Sequence, residues 1–198
     1  MKSPKEISIE KKTLEELTPG SASRHVAEIL MNDEEVQEMQ EYANTVSIVR
    51  LGYNDHGPVH MRTVTRNAVH MMNILHAAGI KTSLETENAG TLDDSLSAII
   101  FASFLHDLGM SMGRSDHELF SMTLATPIIE RTLAKAYPDS LKKRIVIRSL
   151  ALEGIIGHMA TRRINSIEAG LILIADGCDM EKGRARIPMV LNTEPKAG

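Results

Sequence analysis

Apolar positions recur every three to four residues through most of the chain, the spacing typical of amphipathic α-helices. One such stripe runs from about Val59 to Ala78, and Pro58 before it suits the first turn of a helix. Another begins at Thr91 or Asp93 and ends near Gly109. The pattern therefore predicts two helices in this half of the chain, separated by a polar loop.

Three more helices are predicted in the second half. Pro127 lies within the first of them and should kink or restart it. The next opens at Ser140. The last is opened by a capping box formed by Asn165 and Glu168, and it continues through uninterrupted apolar residues to Asp176. A helix that is apolar all round is expected to be buried.

These elements predict an all-α fold, a single helical bundle over residues 21–190. Residues 1–20 are read as an N-terminal arm or a marginal first element, and residues 191–198 as a loose C-terminal tail. An amphipathic helix over residues 22–44, which Asn32-Asp33 can interrupt, either covers the core or forms a dimer interface, so a homodimer stays open. The length of 198 residues suits one domain, and 42% apolar residues are enough for a core.

Composition and charge narrow the function classes. The net charge is −4 with both signs interspersed, which gives no support to a nucleic-acid-binding surface. Cys178 is the single cysteine, so an intrachain disulfide is impossible and a reducing compartment is expected. No apolar run approaches the roughly 20 residues of a transmembrane helix. We therefore expect a soluble, cytoplasmic protein with neither nucleic acid nor membrane as a partner.

Two polar positions stand out against this apolar background. His106-Asp107 ends an apolar helical run, and a charged pair is costly to bury there without a partner. Asp176 follows Leu-Ile-Leu-Ile-Ala with no cation at helical spacing. Other candidates have simpler explanations when taken singly, since His60 can be a hydrogen-bonded core residue and His117 a surface residue. His158, at a helix end, can also be a surface residue.

Taken jointly, these residues indicate a metal site. The chain places four histidines and two aspartates on inward helix faces or helix ends: His60, His106, Asp107, His117, His158 and Asp176. Imidazole and carboxylate ligands suit Fe, Mn, Co, Ni or Zn. Six ligands are too many for one catalytic ion with an open position. They fit two ions about 3.5–4 Å apart, with Asp107 as the bridge.

The ordered set His60, His106-Asp107, His117, His158 and Asp176 resembles the HD superfamily of metal-dependent phosphohydrolases over about residues 50–190. The run Phe104–Gly109 is similar to the signature of that family. The resemblance implies an HD-type helical domain in which His60, His106, Asp107 and Asp176 hold the first metal. Asp107, His117 and His158 would hold the second.

The resemblance also implies an activity. The expected reaction is hydrolysis of a small phosphoester, of the nucleotide or cyclic nucleotide class, by a metal-bound hydroxide, with His106 and Asp107 as catalytic residues. The cofactors would be two divalent ions, Mn, Fe or Co, with Zn or Ni also compatible. Two alternatives stay open: a di-iron oxygenase on the same scaffold, and a non-catalytic nucleotide-sensing protein.

One position departs from the family pattern. Many members have a lysine shortly after the signature glycine, but Met110 stands there in this chain. Arg184 and Arg186, then Arg114, are the candidates for binding the substrate phosphate, because the arginine fork suits phosphate oxygens. Arg62 and Arg66 can be phosphate ligands or exposed surface residues. Asp55 and His56, in the loop before His60, can support the site or simply form a turn.

Overall fold

The computed structural model describes residues 2–180, and this part of the chain consists of α-helices and connecting segments without any β-strand. The predicted all-α fold is confirmed. In chain order the helices are α1 Pro4–Glu15, α2 Ala22–Met31, α3 Glu34–Thr45, α4 Pro58–Ala77, α5 Ser83–Thr86, α6 Leu92–Leu105, α7 His117–Ala136, α8 Leu141–Gly157 and α9 Ile167–Gly177. A π-helical segment, Val46–Arg50, continues α3, and a 3₁₀ turn, Leu108–Ser111, follows α6. Within residues 2–180, none of the helices is long and apolar enough to cross a membrane.

Helix α6 is the centre of the bundle. Every residue from Asp94 to Leu105 is buried, and α2, α4, α8 and α9 all pack against the helix. Its buried serines are accommodated because their hydroxyls find acceptors: Ser97 and Ser103 donate to carbonyl oxygens of the same helix, and Ser95 donates to Glu168 of α9. A buried α6 places its C-terminal end, and the His106-Asp107 pair that follows, inside the protein.

Residues 1–20, predicted as an arm or a marginal first element, contain a regular helix. Ser3 caps α1 in a reciprocal capping box with Glu6. The helix packs against α4 and buries Glu6 and Glu10 on its inner face. The spacing of apolar residues does not predict this helix, because the face that it buries is acidic. The partner of that face is the buried Arg62 of α4.

The structure confirms one predicted helix boundary and contradicts another. The predicted interruption at Asn32-Asp33 is confirmed, because Asp33 caps α3 after α2 has ended. The predicted restart at Pro127 is wrong, since α7 runs through it as one helix packed against α8. Proline removes a single N–H donor, and the packing of a 20-residue helix outweighs that loss.

The predicted capping box of Asn165 and Glu168 is also wrong. Ser166 caps α9 by accepting a hydrogen bond from the Ala169 amide. Glu168 instead accepts hydrogen bonds from the Ser83 amide at 3.1 Å and from Ser95 Oγ at 2.7 Å. Those donors, at the start of α5 and inside α6, lie far away in sequence, so local spacing gave no sign of them.

We predict opposite effects for two glycine-to-alanine substitutions in neighbouring helices. A Cβ at Gly154 in α8 would lie 2.7 Å from the Ala102 Cβ of α6, so Gly154→Ala should lower the free energy of unfolding by about 1–3 kcal/mol. Gly170 in α9 has its nearest neighbour at 3.9 Å, so Gly170→Ala should raise stability by up to about 1 kcal/mol through helix propensity. Urea unfolding of both variants checks this, and a neutral Gly154→Ala would contradict it.

Candidate metal centre

The six predicted ligands meet at one place, where five helix ends converge. His60 is the third residue of α4, His117 is the first residue of α7, and Asp176 lies in the last turn of α9. His106 and His158 are the C-terminal caps of α6 and α8, and Asp107 follows His106 directly. The four histidines and Asp107 are buried, and the Asp176 side chain is 16% exposed.

Each histidine ring is held by a hydrogen bond at Nδ1. The acceptors are backbone carbonyl oxygens for three of them: Ser103 for His106 at 2.9 Å, Arg114 for His117 at 2.9 Å and Ile155 for His158 at 2.6 Å. A carbonyl oxygen can only accept, so Nδ1 carries the proton in these rings and Nε2 presents a lone pair. This is the arrangement that supporting hydrogen bonds impose on metal-binding histidines.

His60 is held by a carboxylate rather than by a carbonyl. Its Nδ1 lies 2.7 Å from Asp179 Oδ2, and Asp179 is buried. Asp179 was missed in the sequence, where the only available signal was its position three residues after Asp176. A buried carboxylate on the far side of an imidazole fixes the ring and makes its Nε2 a stronger ligand.

The Nε2 atoms converge in pairs. His60 Nε2 lies 3.3 Å from His106 Nε2, and His117 Nε2 lies 3.0 Å from His158 Nε2. Two nitrogen lone pairs at such distances repel each other unless a positive charge, a proton or a metal ion, lies between or beside them. Neutral imidazoles combined with carboxylates form a donor set that suits divalent transition metals.

Asp107 faces both pairs at once. Its Oδ2 lies 3.3 Å from His60 Nε2 and 3.2 Å from His106 Nε2. Its Oδ1 lies 3.2 Å from His117 Nε2 and 3.5 Å from His158 Nε2. The two oxygens of one carboxylate therefore each point into a different half of the centre.

Asp176 belongs to the half that contains His60. Its Oδ1 lies 3.1 Å from His60 Nε2 and 3.8 Å from His106 Nε2. Two groups of ligand atoms are compact enough to hold a metal ion, with all atoms of a group within 4.8 Å of one another: His60, His106 and Asp176 form one group, and His106, Asp107 and His158 form the other.

The electrostatics of the centre favour ionised carboxylates. Burial acts to raise the pKa of Asp107, but positive charge on the facing rings, led by His106 and His56, holds that pKa well below its ordinary value. Burial opposes ionisation of Asp176 too, and His60 and His106 outweigh it, so the pKa of Asp176 is also lowered.

The two candidate residues of the loop before α4 make different contacts. His56 is buried, with its ring centroid 6.0 Å from that of His60. Its Nδ1 lies 2.9 Å from Ser47 Oγ and 2.7 Å from the Asn54 carbonyl oxygen. The Asp55 carboxylate accepts a hydrogen bond from the Gly57 amide at 2.7 Å.

A close backbone approach sets the position of α7 relative to Asp107. The Gly109 amide donates to Ser121 Oγ at 2.8 Å, and a Cβ at Gly109 would collide with the carbonyl oxygen of His117. The residue after Asp107-Leu108 must therefore be glycine for His117 to come within reach. The glycine of the predicted signature has a steric explanation in this fold.

The predicted substrate-binding arginines have different outcomes. Arg114 lies three residues before the start of α7, and its guanidinium carbon is 5.9 Å from the centroid of the Tyr53 ring. Its NH1 and NH2 groups lie 3.9 and 3.7 Å from the sulfurs of Met110 and Met159, which follow the ligand pair His106-Asp107 and the ligand His158 in the sequence. Within residues 2–180, the Arg114 guanidinium forms no ion pair. Arg184 and Arg186 lie outside the described residues.

Arg62 has neither of the roles considered for it. Its side chain is 1% exposed and pairs with Glu10 at 2.7 Å, so it is neither a surface residue nor a phosphate ligand. Arg66 is half-buried, and its Nε is enclosed. A buried arginine requires carboxylate partners from elsewhere in the fold, and α1 supplies one through Glu10.

Comparison with known proteins assigns no function to this site. No family model matches the chain, and no solved structure matches it. An uncharacterized protein of Methanocaldococcus jannaschii, MJ1020, is 38% identical over 160 residues, which cover 81% of this chain and 61% of that protein. The chain thus spans about three fifths of the length of this relative. Because its name states no activity, the function has to be argued from the site itself.

Proposed function

We propose that this protein is a metal-dependent phosphohydrolase with two divalent ions, acting on a small phosphoester. The observation that supports this best is the position of Asp107, whose two carboxylate oxygens face two separate pairs of histidine Nε2 atoms. A bridging carboxylate between two ligand groups is the arrangement that two-metal hydrolytic sites use.

The ligands divide between the two ions by these contacts. His60, His106 and Asp176 would hold the first ion with one oxygen of Asp107. His117 and His158 would hold the second with the other oxygen. Nitrogen and oxygen donors of this kind suit Mn, Fe or Co, and also Zn or Ni. When bound, such ions lower the pKa of a coordinated water to about 7 and offset the charge of phosphoryl oxygens.

The residues of the chain provide the orientation. The Nδ1 hydrogen bonds of His106, His117 and His158 to backbone carbonyls hold each ring with Nε2 turned inward. Asp179 does the same for His60. Asp107, Asp176, the buried Asp179 and a metal-bound hydroxide together would match the charge of two divalent ions, so an anionic substrate would be held by direct contact with the ions and with Arg114.

Among residues 2–180, Arg114 is best placed to orient the phosphate. Its guanidinium contacts the weakly accepting thioethers of Met110 and Met159, and within that range no oxygen accepts a hydrogen bond from it. Two parallel N–H groups of an arginine match two phosphate oxygens. Tyr53, 40% exposed beside Arg114, offers a face on which a nucleotide base can stack.

Metal analysis followed by a phosphoester panel tests the proposal. Protein purified without chelator should contain about two divalent ions per chain. Loaded protein should release phosphate from a 5′-nucleotide or p-nitrophenyl phosphate, or open a cyclic nucleotide. Removing the ions with a chelator should abolish turnover, and adding Mn²⁺ or Co²⁺ should restore it. Oxygen uptake with an organic substrate and no phosphate release would overturn the proposal in favour of an oxygenase.

We predict that Asp107→Ala removes both metal retention and turnover. Loss of a supporting residue around a metal ligand typically costs about 10–100-fold in affinity or activity, so loss of the ligand shared by both ions should cost more than about 100-fold. The exposed Asp139, in the loop before α8, provides the matched control, Asp139→Ala. Metal content and kcat/KM are measured for both, and an Asp107→Ala protein that keeps its two ions and full activity would refute the bridging role.

We also predict a selective effect of Arg114→Gln on substrate binding. A hydrogen bond to a charged group contributes about 1.5–3 kcal/mol, so kcat/KM for a phosphoester should fall by about 10–100-fold. Metal content should stay unchanged, because Arg114 lends only its backbone carbonyl to the ligand His117. Arg148→Gln is the control, since Arg148 pairs with Glu130 at the surface. Equal kinetic losses in the two variants would exclude a direct role for Arg114.

A further inference from the structure

Gln40 is a buried amide that links two of the helices carrying the metal ligands. It lies on α3, is 0% exposed, and contributes no atom to the metal centre itself. Its Nε2 donates a hydrogen bond to the Phe104 carbonyl oxygen of α6 at 2.8 Å. Its Oε1 accepts a hydrogen bond from Arg62 of α4 at 2.8 Å.

The Phe104 carbonyl is in the last turn of α6, where backbone oxygens lack the usual helical donors. The preceding carbonyl, that of Ser103, accepts the Nδ1 hydrogen bond that orients His106. Gln40 therefore binds the helix end one residue away from the group that sets the direction of the His106 ring. A shift of this helix end would move His106 and Asp107 together.

Arg62 holds Gln40 in place from the other side. The guanidinium donates to Glu10 at 2.7 Å and to Gln37 at 2.7 Å as well as to Gln40, and it lies 4.9 Å from the centroid of the Phe104 ring. Arg62 is two residues after the ligand His60 on α4. The pair of Arg62 and Gln40 thus connects the helix of His60 with the helix end of His106 and Asp107.

The network of Glu10, Arg62 and Gln40 is not expected to add much to the free energy of unfolding. A buried ion pair contributes little compared with well-packed apolar residues of the same volume, because both charges lose their hydration. Its hydrogen bonds do impose a definite geometry. Each N–H group of a guanidinium or an amide forms a strong hydrogen bond only with an acceptor that lies close to the direction of the N–H bond. Geometry is what a centre with ligands from five helix ends requires.

We propose that Gln40, held by Arg62, is a positioning residue of the metal centre: it fixes the end of α6 so that His106 and Asp107 face His60. The inference rests on the metal-binding part of the proposed function and is independent of which reaction the centre catalyses. It extends the functional part of the chain to α3 and, through Glu10, to α1.

The chain offers a matched pair of variants for the test. Gln37 also accepts a hydrogen bond from Arg62, at 2.7 Å, but its own amide donates to Glu6 and Glu41 rather than to α6. Gln40→Met and Gln37→Met therefore each remove one acceptor from Arg62, and only Gln40→Met removes the bond to the Phe104 carbonyl. The probe is Co²⁺, titrated into metal-free full-length protein against a competing chelator and followed by its visible absorption.

Gln40→Met should bind Co²⁺ about 10–100-fold more weakly than the unmodified protein, the range for loss of a supporting contact, whereas Gln37→Met should bind it normally. In the metal-free proteins, amide hydrogen exchange over residues 105–111 should accelerate in Gln40→Met only. If Gln40→Met does not fold, Gln40→Asn, which shortens the side chain by one methylene, should show the same loss of affinity.

Three results would overturn the inference. One is normal Co²⁺ affinity in Gln40→Met. Another is a loss of Co²⁺ affinity in both variants, in proportion to their loss of thermal stability. That result would mean that the network only stabilises the fold. The third, no Co²⁺ binding by the unmodified protein, would remove the metal centre as well. Unmodified protein that binds Co²⁺ but hydrolyses no phosphoester would contradict the proposed reaction and leave the role of Gln40 open to this same test.

Discussion

The structure depends on one electrostatic constraint, the close approach of four histidine Nε2 atoms around Asp107. Three of these rings donate Nδ1–H to a backbone carbonyl, so each must present a lone pair to its neighbours. Lone pairs 3.0 and 3.3 Å apart are stable only next to positive charge. The rest of the fold can be understood as the framework that brings these atoms together and keeps water from separating them.

Helix ends are a physically suitable place for such a cluster. The last carbonyls of a helix lack donors within the helix and can accept Nδ1–H from a histidine that caps the same helix. His106 on α6 and His158 on α8 both do this, each to the carbonyl three residues earlier. The same few residues thus complete the helix, orient the ring and turn Nε2 toward the centre. A buried α6 ensures that this happens in the interior.

Sequence reasoning reached the cluster because two of its parts interrupt an apolar pattern. Asp176 ends a run of Leu and Ile, and His106-Asp107 ends another, so both require a partner that the local sequence does not provide. The supporting residues gave no such signal. Asp179 follows the end of α9 in a polar stretch, while Gln40 and Glu10 sit among other polar residues of helices whose partners are distant in sequence. Glu168 was assigned a local capping role for the same reason, although its donors are Ser83 and Ser95.

Two arginines illustrate how the tertiary structure separates roles that the sequence leaves equivalent. Arg62 is enclosed, and carboxylate, amide and carbonyl oxygens use its donors, so it can serve only to hold neighbouring helices. Arg114 lies by the ligands His117 and His158, with thioether sulfurs and an aromatic ring around its guanidinium. Oxygens take up the donors of Arg62, whereas within residues 2–180 no oxygen is bonded to the Arg114 guanidinium. This difference in surroundings, which the local sequence does not show, is the basis for proposing Arg114 rather than Arg62 as a phosphate-binding residue.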